Sequence, residues 1–167
     1  MKKTAILYGS TTGNTKSIAK LINQCLDNQA EVKDVDDLTA SDIESYECLI
    51  LGTSTWGLGD LQDDWDSFIT ELDNADLEGK TIALFGLGDA ASYPDTFVDG
   101  MGTIYKAIVD KGCQIVGAVS ADGYSFDASS AVINNSLVGL AIDEDNESNK
   151  TEERVRKWVD LILAGLN

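Results

Sequence analysis

Apolar residues are arranged along the chain in two alternating textures. Short unbroken runs occur at Thr4–Tyr8, Cys48–Gly52 and Thr81–Gly86, each ending on or just before a glycine. Continuous apolar runs of this length predict strands buried on both faces. Between them, apolar positions recur at spacings of three and four. The sets are Ile18, Leu21, Ile22, Cys25 and Leu26; then Trp65, Phe68, Ile69 and Leu72; then Phe97, Met101, Ile104, Tyr105 and Ile108; and last Val155, Trp158, Val159, Ile162 and Leu166. Each set forms one face of an amphipathic helix. Weaker strands are expected at Glu31–Val35, Gln114–Val119 and Leu137–Ile142.

This alternation predicts an α/β fold: an open, doubly wound, five-stranded parallel sheet with helices on both faces and right-handed crossovers. Ser120–Ser136 is rich in Ser, Ala, Asp and Asn and breaks the alternation. It reads as an insertion, at about residues 120–136, that splits the last strand. With 167 residues, 43% hydrophobic composition, a single proline (Pro94) and no linker-like stretch, one domain spanning 1–167 is expected.

Open parallel sheets bind ligands beyond the carboxyl ends of their strands. Three segments leave such ends: the turn after Gly9, the loop after Gly52 and the loop after Gly86. The first reads Ser10-Thr11-Thr12-Gly13-Asn14-Thr15 and opens a helix. Helix starts offer unpaired N–H groups and a positive dipole end, which suit a phosphate. One hydroxyl would suffice to cap the helix, but Ser10, Thr11, Thr12 and Thr15 all carry one, and Asn14 adds an amide. No lysine precedes Thr15, so the triphosphatase loop is absent, as is G-x-G-x-x-G. A terminal monophosphate held by neutral donors is the expectation.

The other two loops read Thr53-Ser54-Thr55-Trp56-Gly57-Leu58-Gly59-Asp60 and Gly86-Leu87-Gly88-Asp89-Ala90-Ala91-Ser92-Tyr93. Each places one aromatic among small residues, where it can stack on a planar ligand. Packing of Trp56 or Tyr93 on the core is the plain alternative for either residue alone.

The remaining composition narrows the chemistry. Histidine is absent, which removes the commonest general base and metal ligand. Cys25, Cys48 and Cys113 are far apart among apolar neighbours, so buried thiols in a reducing compartment are expected rather than a disulfide or metal site. Asp143–Glu147 is acidic but lacks the glycine of a calcium loop at its sixth position, which is Ser148. The strand ends lack the aspartates of a signalling receiver. The formal charge of −17, from 12 basic and 29 acidic residues, repels nucleic acid and anionic membrane and favours basic partners. The N-terminal apolar run is too short for a signal peptide or membrane span, which leaves a cytoplasmic protein as the default.

Three spaced motifs carry a family resemblance. Ser10–Thr15 resembles the flavodoxin phosphate signature. Thr55-Trp56-x-x-Gly59-x-Leu61-Gln62 and Gly86-x-Gly88-Asp89-x-x-x-Tyr93 resemble that family's two isoalloxazine loops. Val138–Asn146 and Trp158 are similar too, and the 120–136 insertion resembles that of the long-chain subgroup. The resemblance implies sheet order 2-1-3-4-5 and non-covalently bound FMN. The phosphate would sit on Ser10, Thr11, Thr12, Gly13, Asn14 and Thr15. The ring would lie between Trp56 and Tyr93, with Ser54, Thr55, Gly57, Leu58, Gly59, Gly88, Asp89, Val98 and Asp99 around it. Asp145 or Asn146 would approach the ribityl chain. It further implies a one-electron carrier, not an enzyme with its own small-molecule substrate; Asp60, Asp89, Asp95 and Asp99 near the ring loops, with no basic residue in the three loops, make a low potential the expectation. Its partners would be basic-faced redox proteins, such as a flavodoxin/ferredoxin reductase and low-potential oxidoreductases, and the carrier itself a monomer. By the same resemblance the Gly57–Leu58 peptide would flip on reduction. The alternative on this fold is an FMN-dependent NAD(P)H or quinone reductase.

Overall fold

The computed structural model describes residues 1–167. In chain order the elements are β1 (Thr4–Tyr8), α1 (Asn14–Cys25), β2 (Glu31–Asp34), α2 (Ala40–Glu44), β3 (Cys48–Trp56), β4 (Asp60–Leu61), α3 (Asp63–Asn74) and β5 (Thr81–Leu87). They continue with α4 (Asp99–Ile108), β6 (Gln114–Val116), β7 (Val119–Ser120), β8 (Val132–Ile133), β9 (Ser136–Leu137), β10 (Leu140–Ile142) and α5 (Thr151–Leu166). The main sheet runs β10-β5-β3-β1-β2, all parallel. A right-twisted parallel sheet of this order has its switch point between β1 and β3.

Each central strand contributes to two cores. Ala5, Leu7, Leu49, Leu51, Ile82 and Leu84 pack under α3 and α4, with Trp65, Phe68, Leu72, Met101 and Ile104. Their neighbours Ile6, Tyr8, Ile50, Ala83 and Phe85 pack under α1 and α5, with Ile18, Ile22, Val155, Trp158 and Ile162. The period of two along a strand sends successive side chains to opposite faces. With helices on both faces, both sets must be apolar, which is why these strands are unbroken apolar runs.

The fifth strand is split. β6 pairs with Thr81–Ala83 and β10 with Phe85–Leu87, so two short segments share one edge of β5. The expected strand halves were longer, ending at Val119 and beginning at Leu137. Instead Val119 and Leu137 pair with each other, antiparallel, in a separate small sheet of order β7-β9-β8. Gly117 causes the departure. Its φ of +88° turns the chain out of the main sheet, and its carbonyl accepts the indole N–H of Trp158 at 2.8 Å. The excursion packs inward through Ala131, Leu137 and Val138. It also backs the loop before α4: the Pro94 carbonyl accepts from Asp127 and Ala128, and Phe97 stacks on Phe126 at 5.1 Å.

No helix is long and apolar enough to cross a membrane.

Candidate functional site

The turn from β1 into α1 is shaped by two glycines. At Gly9 a Cβ would lie 2.2 Å from Gln62 Oε1 and 2.8 Å from the Trp65 ring, so no side chain fits there. Gly13 has φ +94° and precedes the first helical residue. No side chain caps α1 and no acidic residue occupies its first turn. The N–H groups of Thr11, Thr12, Asn14, Thr15 and Lys16 find no acceptor within the protein. Helix starts leave such donors in need of a partner. Four of these residues, Thr11, Thr12, Asn14 and Thr15, line one cleft with hydroxyls among them, which makes an anion site that uses no cation. Ser10 has a supporting position: its Oγ accepts the Gly13 N–H at 3.0 Å.

β3 continues past Gly52 to Trp56 and turns back through Gly57, Leu58 and Gly59 into β4, with Trp56 opposite Asp60. Gly57 (φ +50°) and Gly59 (φ +102°) supply the left-handed backbone that this tight reversal requires. Trp56 is 40% exposed, its indole N–H donating to Ser54 Oγ at 2.8 Å. Leu58 projects into solvent at the tip. From the next strand, β5, the 88–93 loop carries Tyr93, 44% exposed. Both aromatics were open to a core-packing reading, and neither is in the core.

These three segments line one cleft of ≈ 350 Å³ at the carboxyl edge. Thr11, Thr12, Asn14 and Thr15 form its anion end. Ser54, Thr55, Trp56 and Gly57 come from β3, and Gly88, Asp89 and Tyr93 from the β5 loop. Leu87, Glu144 and Asp145 complete it and were not among the expected contacts, save Asp145 as one of two options. Ser10, Gly13, Leu58, Gly59, Val98, Asp99 and Asn146 lie outside the lining. Val98 is fully buried with φ +51° at the start of α4, and Asp99 receives the Ser130 N–H at 2.8 Å behind the Gly59 turn. The Gly88 N–H is bound to the Ile142 carbonyl at 3.0 Å, which leaves only its carbonyl free.

Asn146 is a brace. Its amide donates to Asp89 Oδ1 at 2.8 Å and to both Asp143 oxygens at 3.0 Å. Asp143, 1% exposed, also accepts the N–H groups of Ala90 and Asn146. The brace thus ties the 88–93 loop to the loop after β10. Asp89 sits below the usual aspartate pKa, chiefly because the Ser92 N–H and then the Asn146 amide bind its carboxylate. Asp145 is raised, first by desolvation and then by repulsion from Asp89, Asp143 and Glu144. The cleft therefore joins an uncharged anion site to a ring-sized slot with acidic walls. It has no basic residue in its lining and no histidine, cysteine or carboxylate grouping suited to a metal.

Fold and cleft together define a doubly wound α/β protein with an anion-and-ring site at the β1/β3 switch point. The family is narrower still. The flavodoxin family model matches residues 6–158. The chain is 43% identical to a Synechocystis flavodoxin over 164 residues, covering 97% of this chain and 96% of that one. It is 44% identical to Escherichia coli flavodoxin 1 over 169 residues, covering 100% and 96%. Among solved structures, Fusobacterium nucleatum flavodoxin bound to flavin mononucleotide superposes with TM-score 0.95 at 32% identity, with complete coverage of both chains. The chain belongs to the flavodoxin family, itself a standard example of ligand binding at this switch point.

Proposed function

We propose that this chain holds FMN non-covalently in the cleft and carries single electrons at low potential between redox proteins. The observation that carries the reading is the pairing, in one cleft, of four residues with unpartnered N–H groups at the turn into α1, Thr11, Thr12, Asn14 and Thr15, with two half-exposed aromatics, Trp56 at the end of β3 and Tyr93 in the loop after β5. FMN supplies the one-electron chemistry when bound. The Thr11–Thr15 donors bind its phosphate, and Trp56 and Tyr93 cover the ring and exclude water. Asp145, nearer the cleft than Asn146, approaches the ribityl chain.

Three features of the chain support the low potential. Asp89, Glu144 and Asp145 wall the cleft, no cation offsets them, and the whole chain carries −17. Adding negative charge beside fixed carboxylates is unfavourable, and a penalty of ~1.4 kcal/mol lowers a one-electron couple by about 59 mV. The same acidity favours basic-faced partners, a flavodoxin/ferredoxin reductase on the donor side and low-potential oxidoreductases on the other. It also opposes self-association, in keeping with a single-domain monomer. The excursion of residues 117–139 supports membership of the long-chain subgroup, and three free cysteines are in keeping with the cytoplasm.

Anaerobic mixing tests the function. The FMN-loaded chain should stay oxidised with NADPH alone and bleach when a ferredoxin–NADP⁺ reductase is added. Rapid bleaching by NADPH alone would make it a reductase instead of a carrier.

A further inference from the structure

Gln62 is an uncharged side chain, 1% exposed, lying between the ring-side hairpin and the anion turn. It immediately follows β4 and caps α3. Its amide makes three contacts that fix its orientation. The Trp65 N–H, at 3.3 Å, needs an acceptor, so that atom is Oε1. The Asp64 carboxylate, at 2.8 Å, needs a donor, so that atom is Nε2. The remaining Nε2 proton points at Thr11 Oγ1, 3.2 Å away. An amide nitrogen has no lone pair to accept with, so Thr11 must be the acceptor in that contact. Its own hydroxyl proton is left free, and no acceptor within the protein takes it. Thr11 lines the anion end of the cleft.

We infer that Gln62 is a positioning residue. It holds the Thr11 hydroxyl as a donor toward the phosphate and so makes the cleft prefer a phosphorylated flavin over an unphosphorylated one. A hydroxyl is both donor and acceptor, and in an acidic cleft without cations its direction matters. If a neighbouring carboxylate took the Thr11 proton, two lone pairs would face the dianion. Gln62 fills one lone pair and itself binds Asp64, so the Thr11 proton cannot point to that side and is left for the cleft. Gly9 belongs to the same device, since only a residue without Cβ leaves room for Gln62 Oε1. The inference rests on the FMN reading of the cleft.

The test compares FMN with riboflavin, by quenching of flavin fluorescence on titration of apoprotein. The readout is the ratio of the two dissociation constants, in which changes to the ring side cancel. Gln62→Glu should lower the preference for FMN about tenfold, the scale of one hydrogen bond to a charged group. In a Thr11→Val background the same change should cost threefold or less, since no hydroxyl remains to be reversed. An unchanged ratio in Gln62→Glu would overturn the inference. So would an equal loss in both backgrounds, which would mean simple charge repulsion. Thr11→Val alone, at an exposed position, should also lower the ratio about tenfold, and no change there overturns the inference whatever the fold of the Gln62 variant. In the unmodified FMN complex, a Thr11 hydroxyl proton coupled to ³¹P supports it, and one bonded elsewhere contradicts it. A chain that binds neither flavin would contradict the FMN reading as well. FMN binding with an unaltered ratio contradicts the Gln62 role alone.

Discussion

Asn146→Ala should destabilise the apoprotein through its brace, although Asn146 itself does not line the cleft. The substitution removes one donor from Asp89 and one shared by both oxygens of Asp143. Asp143 is buried and retains only the N–H groups of Ala90 and residue 146. Asp89 is better placed, with the Ala91 and Ser92 N–H groups still bound and water nearby. A hydrogen bond to a charged group contributes about 1.5–3 kcal/mol. The buried arm should count in full and the accessible arm for little, so a loss of about 2–3 kcal/mol is expected. For a domain of this size that is about 5–10 °C in Tm. The loss should also depend on pH with a definite sign. The folded pKa of Asp89 is depressed, by the Ser92 N–H and then the Asn146 amide. Its stabilisation is therefore complete above the unfolded aspartate pKa, near 4, and is lost as pH falls through the lower folded value. Urea and thermal unfolding of both apoproteins from pH 7 to pH 3 would measure this. The gap between them should narrow below about pH 4, by no more than the small share that the Asp89 arm contributes. A loss under about 0.5 kcal/mol at pH 7, or a gap that widens on acidification, would refute the reasoning.

Other perturbations address the cleft directly. Trp56→Ala should weaken FMN binding by about tenfold or more, since ring stacking contributes ~0.5–1.5 kcal/mol beyond burial; an unchanged dissociation constant would place the ring elsewhere. Asp145→Asn removes a carboxylate already raised by desolvation and by its acidic neighbours. It should raise the midpoint potential for adding an electron to the bound FMN by some tens of millivolts, and potentiometry showing no rise would contradict the electrostatic account. Gly57→Val puts a β-branched side chain at φ +50° and should cost about 1–2 kcal/mol of stability. Gly57→Asn should cost less, and equal losses would mean that the left-handed backbone is not the cause. Reduction by a basic reductase should slow as ionic strength rises.

The parts legible in the sequence were those with many residues repeating one constraint. β1, β3 and β5 are buried on both faces, so each announces itself as an apolar run. The long helices show their period for the same reason. Short elements escaped. α2 spans only Ala40–Glu44, too few residues for a period, although its Thr39/Asp42 capping box is a local signal. The excursion's two-residue strands are set by Gly117 and by Trp158 from a distant helix. Within the site, the loops with repeated hydroxyls or a lone aromatic could be found. Glu144 and the role of Gln62 could not be assigned by type, because a glutamine before a helix and a carboxylate in an acidic run look like ordinary surface. Asp143 hid its burial in the same run. Asn146, expected near the ribityl chain, proves to be bound to two carboxylates beside the cleft. That distinction depends on which way one amide points.

The most direct test of the central reading is a titration of the apoprotein with FMN, followed by visible absorbance and fluorescence. One FMN per chain should bind, its fluorescence quenched and its two visible bands shifted, and acid precipitation should release it unchanged. Free-flavin spectra and undiminished fluorescence throughout the titration would contradict the account.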